Sequence, residues 1–389
     1  MKEKPKILVV GAGYAGIAFL KSLDEECFRL GDFTIINKNS YHYHSTMLHK
    51  VATAENSGKI MFDLREFLHP EIKIIQQLVL DIDEENHTVT TEFSKFKYDY
   101  LICAAGFEKE SFNLKGIENA VFIDSYIQAS RICEIIKDKF TKALENGTGL
   151  SIAVCGSGLT GIEFSASCAN MLKKKLEFYR QDSSKFDKFS VNLISSTPRL
   201  LTFFSEKISQ KILKNLTKLG VKVTHNTRIS SLEKYRVNFQ NGGYLDADII
   251  VWTAGVRGAS VVSQSYIESE RGRVKVDSKL KTFDHENVFC IGDVSAVSDG
   301  NGGFYPPTAQ IACEQGEFLA KEFKAMLENK DFKEEFKFKS HGVICSIGHS
   351  YAVANVLGFE MSGVVPAFLK TMVEKKWNMK LLGLKGLIL

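Results

Sequence analysis

A glycine-spaced turn between a buried strand and a helix occurs twice in this chain, and the repetition restricts the fold more than any other feature. Lys6-Ile-Leu-Val-Val10 runs into Gly11-Ala-Gly13-Tyr14-Ala15-Gly16, followed by Ile17, Ala18, Phe19 and Leu20 at helical spacing. Ser151-Ile-Ala-Val-Cys155 runs into Gly156-Ser-Gly158-Leu-Thr160-Gly161, followed by Ile162, Glu163 and Phe164. Both read G-x-G-x-x-G-I-x-F, 145 residues apart. The first glycine permits the tight turn, the second lets backbone approach a pyrophosphate, and the third lets helix pack on sheet. The anion then rests on the helix N-terminus, where unpaired N–H groups and the helix dipole favour negative charge.

The parallel continues downstream. Tyr98-Asp-Tyr-Leu-Ile-Cys-Ala-Ala105-Gly106 and Asp248-Ile-Ile-Val-Trp-Thr-Ala-Gly255 are both strands ending in Ala-Gly, 95 and 99 residues after the first glycine of their unit. The pattern predicts an α/β protein with two tandem Rossmann-like dinucleotide-binding domains. Such folds usually close the second strand with an acid that holds the ribose hydroxyls. Here Phe33-Thr-Ile-Ile-Asn37 ends in Asn37, then Lys38, and Val191-Asn-Leu-Ile-Ser195-Ser196 ends in serines. Serine removes the usual repulsion against a 2′-phosphate, and Arg199 lies close in sequence. The choice between NADH and NADPH therefore stays open.

Composition excludes several classes. The 389 residues are 44% hydrophobic and 25% charged, which fits a globular chain and neither a disordered nor a fibrous one. Eight cysteines are too sparse for a disulfide scaffold, and none forms a CxxC pair of the zinc-ribbon or dithiol kind. The net charge of +4 lies wholly in residues 364–389, which carry five lysines and one acid. The rest of the chain is balanced, so no nucleic-acid partner is expected. Lys2, Lys4 and Lys6 before the apolar run Ile7–Leu20 imitate a signal peptide, but the glycine turn explains that run better. No apolar stretch reaches 18 residues, so no spanning helix is expected.

Two further segments complete the pattern. Asn287-Val-Phe-Cys-Ile-Gly292-Asp293 is a strand ending in Gly-Asp. After a glycine-rich loop, Pro306-Pro307-Thr308-Ala309-Gln310-Ile-Ala-Cys313-Glu314-Gln315-Gly316 opens a helix, with the prolines fitting its first turn.

With these residues the chain resembles the type II NADH dehydrogenases, the single-subunit, non-proton-pumping NADH:quinone oxidoreductases. The likeness spans nearly the whole length. It rests on both glycine turns, on Tyr41-His-Tyr-His-Ser-Thr46, Glu163, Trp252-Thr-Ala-Gly-Val-Arg257, Gly292-Asp293, Ala309-Gln310 and an apolar, basic tail. The resemblance implies FAD in residues 1–112 with 257–325, NADH (or NADPH) in 113–256, and a membrane-docking, quinone-access region in 326–389. It assigns to FAD the residues Gly11, Gly13, Tyr14, Ala15, Gly16, Asn37, Lys38, Thr46, Val79, Ala105, Gly106, Gly292, Asp293, Ala309 and Gln310. Asp293 would bond a ribityl hydroxyl. Gly156, Gly158, Thr160, Gly161, Ser195 and Gly255 would meet the nicotinamide nucleotide. Glu314 replaces the second glutamine of the family's A-Q-x-A-x-Q-x-G motif, and His341 stands where the family often has lysine.

Glu163 is the informative difference between the two copies, since its counterpart is Ala18. A carboxylate two residues past the last glycine is expected to face the ligand and link protonation to the redox step. With Gln310, Glu314 and His341 it forms the candidate catalytic set. His42, His44 and His49 lack a metal-ligand spacing, so no metal is expected. Cys313 and Cys345 raise the alternative of a sulfide:quinone oxidoreductase; an NADPH-preferring quinone reductase and a non-catalytic membrane flavoprotein are the others. In the tail, Phe368, Leu369, Met372 and Val373, continued by Trp377, Leu381 and Leu384, predict an amphipathic helix. It would lie in the membrane interface with lysines on anionic headgroups. A peripheral protein on the cytoplasmic face of the inner (cell) membrane, paired as a homodimer, is the implied setting. Tyr179–Ser190 reads as a polar surface loop.

Overall fold

The computed structural model describes residues 3–55, 58–181, 188–265 and 269–387. Half of the loop expected at 179–190 lies outside the described residues, and its last two positions, Phe189 and Ser190, belong instead to the strand Phe189–Ile194. The chain divides into two compact units. One comprises Met1–Tyr43, Met61–Glu108 and Val256–Ser340, the other His44–Ile60, Lys109–Gly255 and His341–Leu389.

The first unit is built on a five-stranded parallel sheet. Its order is Val288–Cys290, Tyr100–Cys103, Lys6–Val10, Asp32–Asn37, Lys73–Gln76. Ile7, Val9, Ile35, Ile36, Leu101 and Ile102 are buried on it, as strands covered on both faces require. The helix Tyr14–Lys21 follows the first glycine turn, and Ala309–Leu327 packs against it. Gly316 permits that approach, because a Cβ there would strike the backbone of Ala15 and Phe19.

The second unit repeats the design. Its sheet runs Val121–Phe122, Ile249–Trp252, Leu150–Cys155, Phe189–Ile194, Val221–Thr224, all parallel. The two strands predicted to end in Ala-Gly occupy the same place in each sheet, beside the fingerprint strand. The edge differs: in the first unit it is the strand that delivers Gly292 and Asp293. A three-stranded antiparallel sheet accompanies each parallel one, Val79–Asp83 to Lys95–Lys97 and Ile229–Glu233 to Tyr244–Asp246. The second unit adds another, Gly342–Ser346, Ala352–Val356 and Phe359–Gly363, which leads directly into the helix Val364–Leu382.

Two local expectations change. Pro306 and Pro307 precede the helix instead of starting it, because the Thr308 hydroxyl accepts from Ile311 N and caps the helix at Ala309. The tail helix forms, but its apolar residues divide between two faces. Phe368, Met372 and Val373 are exposed, as is Leu384 beyond the helix end, whereas Trp377 and Leu381 are buried. The helix packs on the three-stranded sheet and on the turn Gly383–Leu387. Among the described residues no helix is long and apolar enough to cross a membrane.

Candidate active site

In the first unit the glycine turn forms a cradle. Gly11 has φ +104° and lies so close to Ala104 that a Cβ would meet the carbonyl oxygen. A Cβ on Gly13 would meet nothing within 4 Å, which leaves room over the helix N-terminus. That end has no side-chain cap, so its first N–H groups can serve an anion. Asn37 ends the second strand and accepts a hydrogen bond from Ala12 N at 3.0 Å through its Oδ1. The Tyr14 and His42 rings pack edge to face, with centroids 5.3 Å apart. Val79 and Ala105 are half-buried and Lys38 is exposed. Gly106 adopts φ +77° after its strand.

Gly292 and Asp293 are held by residues that the sequence did not single out. The Gln315 side chain accepts from Gly292 N at 2.6 Å and donates to Ser295 Oγ at 2.9 Å, and Ser295 Oγ donates to Gly292 O. Arg273 donates to the carbonyls of Ser295 and Tyr305. Burial pushes the Asp293 carboxyl up to about 6, opposed by Arg273. A carboxyl so placed suits a ligand hydroxyl. Gln310 donates to Glu314 Oε1 at 2.8 Å, one helical turn on, and to Lys339 O.

The second unit repeats the cradle. Gly156 has φ +123° and packs on the Thr253–Ala254 backbone, and a Cβ on Gly158 would meet nothing within 4 Å. Thr253 Oγ1 donates to Gly156 O at 2.9 Å. Thr160 and Thr46 are exposed, the latter in the segment 44–60, which belongs to this unit. Gly255 adopts φ +85°. Ser195 is fully buried.

Glu163 is buried at 6% exposure on the helix Leu159–Phe178; it is not a solvent-facing helix residue. Lys370 of the tail helix donates to its Oε1, and Ser346 N donates to the same oxygen at 2.9 Å. Burial alone would raise the carboxyl. The Lys370 charge and these hydrogen bonds overcome it and hold Glu163 below its ordinary value. Burial likewise opposes the ammonium, and Glu163 wins, so Lys370 is raised. This corrects the expectation for Lys370, which is an ion-pair partner and not a headgroup contact. Burial lowers His49 to about 4. It is therefore neutral at neutral pH, and its 3.6 Å approach to Glu163 Oε2 is a polar contact without an ion pair.

Around this cluster, Lys50 pairs with Glu374 at 2.9 Å, and Glu55 joins Ser167 and His349. His44 meets Asn378 Oδ1 at 2.6 Å, while His42 reaches Ala12 O. Cys345 is buried beside Ser346, and burial pushes its thiol well above the ordinary value; Cys313 is half-buried. His341 is exposed. It lies five residues before Ser346, about 15 Å along an extended strand, so the structure does not bring it to Glu163.

The family model for pyridine nucleotide-disulphide oxidoreductases matches residues 5–316, which sets the class. Type II NADH:quinone oxidoreductases of Staphylococcus haemolyticus and Staphylococcus aureus are each 31% identical to this chain, covering 98% of it and 97% of theirs. Among solved structures, NDH2 from Plasmodium falciparum in complex with NADH superposes with TM-score 0.88 at 20% identity, over 99% of this chain and 98% of that one. The sulfide:quinone oxidoreductase of Aquifex aeolicus gives 0.79 at 20% identity, over 98% and 92%. The chain belongs to the type II NADH:quinone oxidoreductase family, within the pyridine nucleotide-disulphide oxidoreductases.

Proposed function

We propose that the protein is a flavoprotein that oxidises NADH and reduces a membrane quinone, so that NADH, one proton and quinone give NAD⁺ and quinol. The observation that carries this reading is the pair of glycine cradles, of which only the first is served by a Gly-Asp strand and the Ala309–Leu327 helix. The first unit is read as the FAD site. Gly11, Gly13 and Gly16 with the helix N-terminus would take the pyrophosphate, Asn37 the adenosine ribose, and Asp293 the ribityl chain. FAD, when bound, supplies the relay that accepts a hydride and gives up two electrons. The second unit is read as the NADH site, with Gly156, Gly158 and Gly161 under the pyrophosphate.

Glu163 is read as a group that governs a proton and is not itself a donor at neutral pH. Its carboxylate keeps the proton on Lys370 Nζ and fixes that ammonium in a buried place. Gln310 and Glu314, bonded to each other, offer an amide and a carboxylate on one helix face. Exposed Phe368, Met372, Val373 and Leu384, with the exposed Lys376 and Lys385, support docking of the tail on the cytoplasmic membrane surface. A homodimer remains the expected assembly. The sulfide-oxidising alternative needs reactive thiols, and a fully buried Cys345 thiol is a poor nucleophile.

The test is anaerobic mixing with NADH. Bleaching of the oxidised flavin band, reversed by a quinone analogue, is expected. Absence of flavin, or flavin that only sulfide bleaches, would overturn the reading.

A further inference from the structure

The strand end that normally selects the nicotinamide nucleotide is built here without an acid. Register fixes the position. Val10 lies opposite Ile36 in the first sheet and Cys155 opposite Ile194 in the second, so Ser195 is the counterpart of Asn37. An acid there accepts from the ribose 2′-hydroxyl and repels a 2′-phosphate. Ser195 can do neither. Its side chain is fully buried, and its Oγ takes a hydrogen bond from Ser157 Oγ at 2.7 Å and contacts Thr197 Oγ1 at 3.0 Å.

The cation that follows this strand end is also engaged. Arg199 donates to Phe204 O at 2.6 Å, to Thr202 O at 2.8 Å and to Ser209 Oγ at 3.3 Å. The Glu360 carboxylate is held low first by hydrogen bonds from Ser205, with a smaller contribution from the Arg199 charge. The adjoining segment is laced to the same turn through Thr227 N to Ser195 O and Asn226 N to Thr197 O. From Thr224 to Thr227 it supplies hydroxyls, an amide and the His225 imidazole, and no carboxylate.

We infer that this turn reads the ribose 2′ position without a carboxylate, so that the protein accepts NADPH as well as NADH, with efficiencies within about tenfold of each other. The inference rests on the second unit being the nicotinamide-nucleotide site. Like charges placed together cost several kcal/mol, so an acid at this turn would separate the two donors by about a hundredfold.

The experiment is stopped-flow reduction of the flavin-loaded protein by NADH and by NADPH. It is repeated on Ser195→Asp and, since residue 195 is buried, on Ser196→Glu at the exposed neighbour. The expected result is a wild-type ratio of rate over apparent Kd within tenfold, and loss of NADPH alone in at least one variant. A wild-type ratio beyond tenfold in either direction overturns the inference while leaving the nucleotide site in place. A ratio inside tenfold that neither variant shifts overturns the assignment of the 2′ contact to this turn. Failure of both donors to bleach the flavin overturns the proposed function and this inference together.

Discussion

Lys370 on the tail helix holds the carboxylate of Glu163, two residues past the second glycine fingerprint, in an ion pair from which both side chains are almost excluded from water. The helix that leaves Phe368, Met372 and Val373 exposed therefore also closes a charge inside its own unit. Removing one partner of a buried pair costs about 3–5 kcal/mol, while replacing both is often neutral. Lys370→Met is expected to destabilise the protein by that amount, and Glu163→Gln with Lys370→Met to recover most of it, measured by denaturant unfolding. Equal stability of all three proteins would show that the pair is not closed in solution. The same reasoning makes deletion of residues 365–389 a poor test of membrane binding, because it strands Glu163.

Glu163→Gln by itself is expected to keep its FAD and its rate of reduction by NADH, and to lose about a hundredfold in quinone-linked turnover, the scale of one proton-handling group. The ratio of the two half-reactions in rapid mixing decides this. An equal loss in both would assign Glu163 to donor binding or to folding.

His49 gives a pH signature. Burial holds it near 4 against an ordinary 6.5, so the unfolded chain binds its proton more readily. Its contribution is intact above pH 6.5 and is lost as the pH falls through the window to 4, a span of about 3 kcal/mol. Asp293, pushed up to about 6, and Glu322, pushed up to about 7, have the opposite slope. The measurement is therefore a difference. Between about pH 7 and pH 4.5, wild type should lose about 2–3 kcal/mol more than His49→Gln. Parallel curves would mean that the imidazole ionises as easily folded as unfolded.

Gln315 is expected to govern FAD occupancy without touching it. Its amide accepts from Gly292 N and donates to Ser295, and loss of such a buried partner costs about 1–3 kcal/mol. Gln315→Leu should lower FAD retention on gel filtration about tenfold or more, with the far-ultraviolet spectrum unchanged. Full retention would mean that the Gly292-Asp293 turn holds its shape unaided.

Membrane attachment is best tested at exposed side chains. Phe368, Met372 and Val373 are 63%, 45% and 60% exposed, and each would bring about 1–2 kcal/mol on burial in lipid. Replacing all three by serine should release the protein from washed membranes while leaving reduction by NADH intact. Continued retention would place the attachment elsewhere.

How much of this was legible can be judged residue by residue. Both sheets were, because Gly11–Gly16 and Gly156–Gly161 impose a backbone geometry whose reason is local. The strands ending at Gly106 and Gly255 were also legible, since they repeat at matched intervals. Gln315 carried no signal, lying unmarked beside Glu314 in a motif read for its other positions. The Glu163–Lys370 pair had none either: 207 residues separate the partners, and no spacing rule covers that distance. A buried glutamate implies a cation, but burial itself was not visible.

The tail shows the same limit. Its helical period placed Phe368, Trp377 and Leu381 together, because periodicity reports which residues are apolar and not what they cover. Only the packing of the helix on the rest of its unit decides that Trp377 and Leu381 are buried and that Phe368, Met372 and Val373 are not. The sequence by itself determined the doubled α/β fold and its phosphate cradles, since glycine spacing and strand runs act over a few residues. The tertiary structure decided which charges are paired, which hydroxyls are spent and which apolar face stays open. Those are properties of contacts between segments distant in the chain.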